Sequence, residues 1–275
     1  MNLFDTTSFK ISQVVTQQYS TSFFHATQML DSESRMAIHA LYGFVRFADE
    51  IVDTLHNTNQ KLLLETFEYD LQQALDQGIS LNPILHSFAL VVQQYNIPYS
   101  LIQSFLESMK MDLYKQQYTT ECELNDYIYG SADVVGLMCL LIFVKGDEQA
   151  YEDLKFPAQK LGSAFQKVNF LRDLKADVEI LGRSYFYEFS YDRFDEKMKH
   201  KILSDIERDF LEAKKGINTL PGRSKLAVSI AYAYYTALVK KIHKTPSSVL
   251  LHKRIRISNV HKIVLFIRTY VVSLF

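Results

Sequence analysis

The 275 residues predict an all-α protein, and three features of the sequence support this fold class. Apolar residues recur at helical spacing along most of the chain, whereas sustained alternation with a period of two is rare. No Asn-Gly or Asp-Gly pair marks a β-hairpin. Hydrophobic residues make up 48 % of the chain, and Gly and Pro number only 9 and 5, which excludes disordered, collagen-like and linker-rich proteins.

The helices predicted from this periodicity begin or end near prolines, because proline lacks an amide donor and clashes with the preceding turn. The predicted helices cover residues 8–18, 32–56, 60–77, 83–95, 99–115, 123–130, 133–144, 147–180, 195–217, 221–243 and 255–273. The polar run from Asp31 to Ser34 suits a helix start, since short polar side chains accept hydrogen bonds from free amides. No repeat or composition break divides the chain, so residues 1–275 are predicted to form one domain.

Charge and cysteine content narrow the function classes and the compartment. The 30 Lys and Arg nearly balance the 31 Asp and Glu, so no general field attracts nucleic acid and no nucleic-acid partner is expected. Two cysteines, Cys122 and Cys139, cannot form a disulfide framework, which favours a reducing, cytoplasmic location. The first residues lack the basic start and apolar core of a signal peptide. The apolar run 134–144 is shorter than the roughly 20 residues of a membrane span.

The first of two polar stripes lies on the apolar helix predicted at 32–56. Tyr42, Arg46, Asp49 and Asp53 follow one another at spacings of four, three and four residues, so they share one helix face. A buried helix with an acidic stripe is costly unless something compensates its charge. Asp49 and Asp53 lie one turn apart and would repel each other or take up a proton, and a divalent cation would relieve that repulsion.

The second polar stripe lies on the helix predicted at 147–180. Gln166, Asn169, Asp173 and Asp177 occupy one face, again with two carboxylates one turn apart, and Arg172 lies beside them. An isolated Asp-x-x-x-Asp pair is usually a solvated surface. Two such pairs, both on apolar helices with arginine neighbours, favour a functional site instead.

The chemistry of the two stripes favours magnesium and a diphosphate. Carboxylate and amide oxygens are hard ligands that suit Mg²⁺, which commonly shares its coordination with substrate phosphate. Arg46 and Arg172 could contact the phosphate oxygens, because a planar guanidinium matches them. A di-iron site needs Glu-x-x-His pairs, and none occurs. The cysteines and histidines show no zinc spacing, and no glycine-rich phosphate loop is present.

These motifs resemble those of the squalene and phytoene synthase family. The resemblance is strongest at Leu161-Gly162-x-Ala164-x-Gln166-x-x-Asn169-x-x-Arg172-Asp173-x-x-x-Asp177 and at Gly182-Arg183-x-Tyr185. It begins near Tyr19, with Ser20-Thr21-Ser22-Phe23, and a weaker match follows at 254–259. Three positions depart from the family pattern: Thr21 is often basic in relatives, Asp133 replaces a small residue, and Phe186-Tyr187 replace Leu-Pro.

The resemblance implies an isoprenoid-synthase helical bundle around a deep central cavity and the head-to-head joining of two isoprenoid diphosphates. It implies that Mg²⁺, with Mn²⁺ as a substitute, binds to Asp49, Asp53, Asn169, Asp173 and Asp177. It implies that the diphosphates contact Ser20, Ser22, Arg46, Gln166, Asn169 and Arg172. Tyr42 is expected to orient the leaving group or to assist proton removal.

Several reactions are compatible with this resemblance. The leading hypothesis is a phytoene synthase of carotenoid biosynthesis, which joins two geranylgeranyl diphosphates through a cyclopropylcarbinyl diphosphate without NADPH. The alternative is a dehydrosqualene or squalene synthase that uses farnesyl diphosphate, the latter with NADPH. A non-catalytic assembly protein is a third hypothesis, but such proteins can lose the four aspartates that this chain keeps. Contact with later carotenoid enzymes is a further expectation.

The carboxyl-terminal segment combines bases with apolar residues. The bases are Lys253, Arg254, Arg256, Lys262 and Arg268, and the apolar run is 263–267. The segment could dock on an anionic bilayer as a peripheral contact. The alternative, slightly favoured by the sequence, is that it packs against the body while its basic residues stay solvated.

Overall fold

The computed structural model describes residues 1–179, 182–186 and 194–273, and the regular elements in these ranges are helices. They are α1 (Leu3–Tyr19), α2 (Thr21–Thr27), α3 (Ser32–Asp53), α4 (Gln60–Gln77), α5 (Pro83–Gln94), α6 (Tyr99–Asp112), α7 (Glu121–Ile128), a π-helical turn (Tyr129–Asp133), α8 (Val134–Val144), α9 (Glu148–Glu179), α10 (Glu196–Thr219), α11 (Ser224–Lys244), α12 (Ser247–Leu250) and α13 (Asn259–Val272). The prediction of a single-domain all-α fold is confirmed.

Most helix boundaries follow local signals in the sequence. The Asp31 carboxylate accepts a hydrogen bond from the Ser34 amide at 3.0 Å, which confirms the predicted start of α3. Helix α1 begins earlier than predicted, because Asn2 and Asp5 form a reciprocal capping box. Helices α2 and α12 were not predicted, since seven and four residues are too few to show a periodicity.

Pro157 is an exception to the rule that helices break near the prolines, and the predicted helix over 147–180 already spans it. It lies inside α9, which continues without interruption from Glu148 to Glu179. The other four prolines lie at the start of a helix or within three residues before it, at α5, α6, α11 and α12. Pro157 packs closely against α10, where a Cβ added to Gly216 would come within 2.4 Å of its ring. This α9–α10 contact stabilises a position that an isolated helix would disfavour.

The core around α3 fixes the helix that carries the first polar stripe. Phe44 is fully buried and stacks on Phe88 of α5, with 4.1 Å between the ring centroids. Burial of such a phenylalanine stabilises a fold by about 1.5–3 kcal/mol. Ala48 and Val52 continue the buried face of α3. The opposite face of α3 is therefore free to present Tyr42 and the aspartates.

Helices α7, the π-helical turn and α8 form one helical run from Glu121 to Val144. By length and composition, this run of 24 residues could cross a membrane. The shortness of the apolar run 134–144 is therefore no argument against a membrane span here. A core helix passes the same test, and half of the window is buried. Helix α8 packs against α3, α6 and α9.

A Cβ on Gly162 of α9 would come within 2.8 Å of the Ala132 carbonyl oxygen, so this close approach of α9 to the π-helical turn requires glycine.

Helix α13 packs against the body, as the interpretation favoured by the sequence expects, but it leaves apolar side chains exposed. It packs against α11 through one face. None of its residues is buried, and several valine and isoleucine side chains are more than half exposed.

Candidate active site

A cavity of about 840 Å³ lies between α2, α3, the π-helical turn, α8, α9, α10, α11 and the segment before α13. The expectation of a deep cavity is therefore confirmed. Its walls include six of the side chains predicted from the sequence: Ser20, Ser22, Tyr42, Gln166, Asn169 and Arg172. The cavity wall thus contains Tyr42 from the first polar stripe, two residues of the second stripe with the neighbouring Arg172, and the two serines that precede α3.

The two ends of the cavity differ in polarity. Leu154 and Arg172 of α9 both line it, and the rise of an α-helix places them about 27 Å apart. Near Leu154 the walls are apolar, with Leu140 and Leu220 packed in the same cluster. Near Arg172 the lining residues are polar or basic and include Asn169, Arg254 and Lys262. The cavity can therefore hold a long molecule with an apolar tail and an anionic head.

The first polar stripe sits beside the polar end. Arg46 contacts the carboxylates of Asp49 and Glu50, and its guanidinium lies 4.5 Å from the centre of the Tyr19 ring. Burial, and secondarily the charge of Asp53, raise the pKa of Asp49 to about 7. This carboxyl group can therefore hold a proton near neutral pH when no cation is bound.

Tyr42 lies one turn before Arg46 on α3 and lines the cavity. Its hydroxyl lies near Ser20, and its ring stacks on Phe23 at 5.1 Å between centroids. Burial raises the pKa of Tyr42 to about 12, so the phenol stays protonated at neutral pH. It is accordingly a hydrogen-bond donor at the polar end of the cavity.

Two arginines hold the second polar stripe. Arg172 donates from Nε to Asp173 at 3.0–3.1 Å, and Arg254 contacts Oδ1 of the same carboxylate at 2.7 Å. The Tyr235 hydroxyl donates to Oδ1 of Asn169 at 3.2 Å. Burial, followed by the charge of Asp173, raises the pKa of Asp177 to about 8.

The two stripes come together at Arg183, which is buried and follows α9. Its Nη1 donates to Asp53 at 2.7 Å and lies 3.7 Å from Asp112, while its Nη2 donates to the carbonyl oxygens of Val52 and Asp112. Asp53 also contributes to the raised pKa of Asp177. The structure therefore brings the four predicted aspartates close enough for their charges to act on one another, although none of the four lines the cavity itself.

Sequence reasoning did not place Arg183, Arg254 and Tyr235 in the site. Arg183 lies within the matched motif Gly182-Arg183-x-Tyr185, so its position was a usable signal. Arg254 and Tyr235 follow the second stripe by 81 and 66 residues. No local spacing connects them to it, and only the packing of α11 and the segment after α12 brings them there.

The departures from the family pattern occupy distinct places. Asp133 accepts a hydrogen bond from Ser163 Oγ at 2.7 Å, and burial raises its pKa to about 7. Thr21 lines the cavity. Phe186 is buried against Phe170. Tyr187 lies outside the described residues.

The residues fit a divalent cation by the chemistry of their donors. Asp49 and Asp177 are crowded by other carboxylates, and a cation would relieve the repulsion that raises their pKa values. In the part of the chain that the structure describes, no three His, Cys, Asp or Glu side chains converge as a metal-binding group. A cation bound here would need further ligands, which a diphosphate could supply. The magnesium assignment stays a prediction.

Comparison with known proteins decides the family. The family model described as squalene/phytoene synthase matches residues 16–187, more than half of the chain. The chain belongs to the squalene/phytoene synthase family. Members of this family that resemble the chain are prenyltransferases, enzymes that transfer isoprenoid groups. The expectation drawn from the motif resemblance is thus confirmed at the level of the family.

Two squalene/phytoene synthases illustrate the similarity, and each is identical to this chain at somewhat more than a quarter of the aligned residues. The chain is 29 % identical over 265 residues to a 15-cis-phytoene synthase of Synechocystis sp., covering 86 % of this chain and 76 % of the relative. It is 28 % identical over 204 residues to a 4,4'-diapophytoene synthase of Staphylococcus haemolyticus, covering 72 % and 67 %.

Solved structures of the squalene/phytoene synthase type share the fold. A dehydrosqualene synthase in complex with a ligand superposes with a TM-score of 0.83 at 22 % identity, covering 98 % of each chain. A squalene synthase from Alicyclobacillus acidocaldarius superposes with a TM-score of 0.77 at 19 % identity, covering 89 % of this chain and 96 % of the other.

Proposed function

We propose that this prenyltransferase joins two geranylgeranyl diphosphates head to head to form phytoene, through a cyclopropylcarbinyl diphosphate and without NADPH. The observation that carries the proposal is the cavity along α9, apolar near Leu154 and flanked by both acidic stripes near Arg172. Similarity to a phytoene synthase over most of the chain supports the same reaction.

A second candidate reaction uses farnesyl diphosphate and yields dehydrosqualene or squalene. Similarity to a diapophytoene synthase favours this shorter substrate. The two candidates share the chemistry of the polar end and differ in how much of the apolar end is filled.

The polar end would bind the diphosphates through charge and hydrogen bonds. Ser20, Ser22, Arg46, Gln166, Asn169 and Arg172 would contact their oxygens. Arg172 and Arg254 now share the Asp173 carboxylate, so an arriving diphosphate could take over one of these guanidinium partners. Mg²⁺ or Mn²⁺ bound by Asp49, Asp53, Asn169, Asp173 and Asp177 would supply Lewis-acid neutralisation of the leaving group.

Departure of the diphosphate leaves an allylic cation, which the cavity must protect from water. The apolar walls near Leu140 and Leu154 exclude water and hold the isoprenoid tail in place. Tyr42 has a raised pKa of about 12 and therefore donates a hydrogen bond rather than removes a proton by itself. This favours its role in orienting the departing diphosphate.

The experiment that tests the proposal incubates purified protein and Mg²⁺ with the C15 or the C20 diphosphate, with and without NADPH, and determines the mass of the hydrocarbon. A C40 product formed without NADPH is expected. A C30 product alone would replace phytoene by the farnesyl reaction. No product from either substrate would instead favour the non-catalytic assembly protein.

A further inference from the structure

Helix α13 carries an apolar stripe that no other described part of the chain covers. The stripe consists of Val260, Ile263, Val264, Ile267, Tyr270 and Val271, each between 42 % and 71 % exposed. Their spacing of three and four residues places them on one side of the helix. The half-buried residues Lys262, Leu265, Phe266 and Thr269 form the opposite side. Since α13 packs on α11, the stripe faces away from the body.

The part of the chain that contains α13 carries an excess of positive charge. The 63 residues after Glu212 contain twelve Lys and Arg and no Asp or Glu, whereas the first 212 residues carry a net charge of −13. Ten of the twelve bases are exposed. Lys241 donates to the carbonyl oxygen of Arg256 at 2.6 Å, which ties the basic end of α11 to the segment before α13. Arg268 lies on α13 itself.

We propose that α13 is a docking surface for an anionic lipid bilayer. Exposed apolar side chains flanked by bases are what an amphipathic helix needs to lie in the headgroup region of such a membrane. A second copy of this chain is a poorer occupant, because two surfaces of the same positive charge would repel each other. The occupant is therefore a lipid surface.

The position of the apolar stripe also affects how substrate reaches the cavity, a consequence that rests on the proposed function. Ile257, Asn259 and Lys262 line the cavity and stand at the beginning of α13. Docking through α13 therefore brings the cavity next to the bilayer. Long isoprenoid diphosphates and their hydrocarbon product partition into membranes, so this position shortens the transfer between the lipid and the site.

The test is co-sedimentation with vesicles in the absence of substrate, so its result does not depend on catalysis. Wild-type protein should bind vesicles of equal parts phosphatidylglycerol and phosphatidylcholine, and added salt should weaken the binding. The variant Ile263→Glu with Ile267→Glu should bind about 100-fold more weakly, because two apolar side chains are lost from the interface and two negative charges are added. Pure phosphatidylcholine vesicles should bind less protein than the anionic vesicles.

A matched control separates α13 from exposed leucines elsewhere. Leu62 on α4 and Leu81 before α5 are 57 % and 90 % exposed, and the variant Leu62→Glu with Leu81→Glu should bind like the wild type. Circular dichroism checks that both double variants keep their helical content. Three results would overturn the proposal: no binding of wild-type protein to anionic vesicles, unchanged binding of the α13 variant, or a self-associated wild type that the α13 substitutions convert to monomers.

Discussion

Arg183 Nη1 donates to Asp53 Oδ1 at 2.7 Å and thereby connects the segment after α9 to the end of α3. The same guanidinium faces Asp112, whose other carboxylate oxygen accepts a hydrogen bond from Tyr127 at 2.8 Å. The side chains of Arg183 and Asp112 are 6 % and 4 % exposed. The buried Arg183 thus orients Asp53, which is predicted to bind metal, and compensates the charge of the more deeply buried Asp112.

Replacing Arg183 by Met should destabilise the protein by about 3–5 kcal/mol, because the buried Asp112 carboxylate would lose its charged partner. Turnover should also fall, since Asp53 would lose its orientation. Urea unfolding and steady-state kinetics measure the two effects. Adding Asp112→Asn should recover part of the stability but not the turnover. A single variant as stable as the wild type would contradict this role.

The two acidic stripes can be tested with isosteric changes. Asp49→Asn and Asp173→Asn should each lower kcat by more than about 100-fold, because each removes a charge from the proposed metal site. Product formation at saturating substrate is the measurement, and circular dichroism should show an unchanged helical content. Asp126→Asn on the exposed face of α7 is the matched control and should keep normal activity. Near-normal turnover in either stripe variant would rule out the metal-binding model.

Stability should depend on pH in a direction set by the raised pKa values. Asp49 and Asp177 keep their protons in the folded state up to about pH 7 and 8, whereas in the unfolded chain they ionise near the ordinary value of 3.8. Without metal, the free energy of unfolding should therefore fall as the pH rises from the ordinary pKa of 3.8 through the raised pKa values of about 7 and 8. Thermal unfolding at about pH 6 and pH 8 measures this slope.

Added Mg²⁺ should raise Tm more at the higher of these two pH values, because metal binding requires deprotonated carboxylates. In the variant Asp49→Asn with Asp177→Asn, both the pH slope and the Mg²⁺ effect should shrink. Part of the slope should remain, since burial also raises the pKa values of Asp112 and Asp133 to about 7. An equal Mg²⁺ effect in wild type and variant would contradict binding at these aspartates.

The length of the product should depend on the apolar part of the cavity. Val228 of α11 lines the cavity and lies seven residues, or about 10 Å, before Tyr235. Val228→Phe should shorten the space for the tail and shift the product from C40 toward C30. Mass analysis after incubation with both diphosphates detects the shift, and Val228→Ala should not cause it. Unchanged product ratios in the phenylalanine variant would place the limiting wall elsewhere.

Local patterns were enough to predict the longer helices and both acidic stripes, because these features depend on neighbours within a few residues. The polar run at Asp31 indicated the start of α3, and spacing alone placed Asp49 and Asp53 on one helix face. Such patterns indicate which side chains share a helix face, but they do not indicate which other parts of the chain that face contacts.

Which distant groups complete the site depends on how the helices pack. Arg183 lies 130 residues from Asp53, and Arg254 lies 81 residues from Asp173. Packing also decided which side of α13 stays exposed. The physical reason is the same in each case: contacts between distant segments outweigh the local preferences from which a sequence can be interpreted.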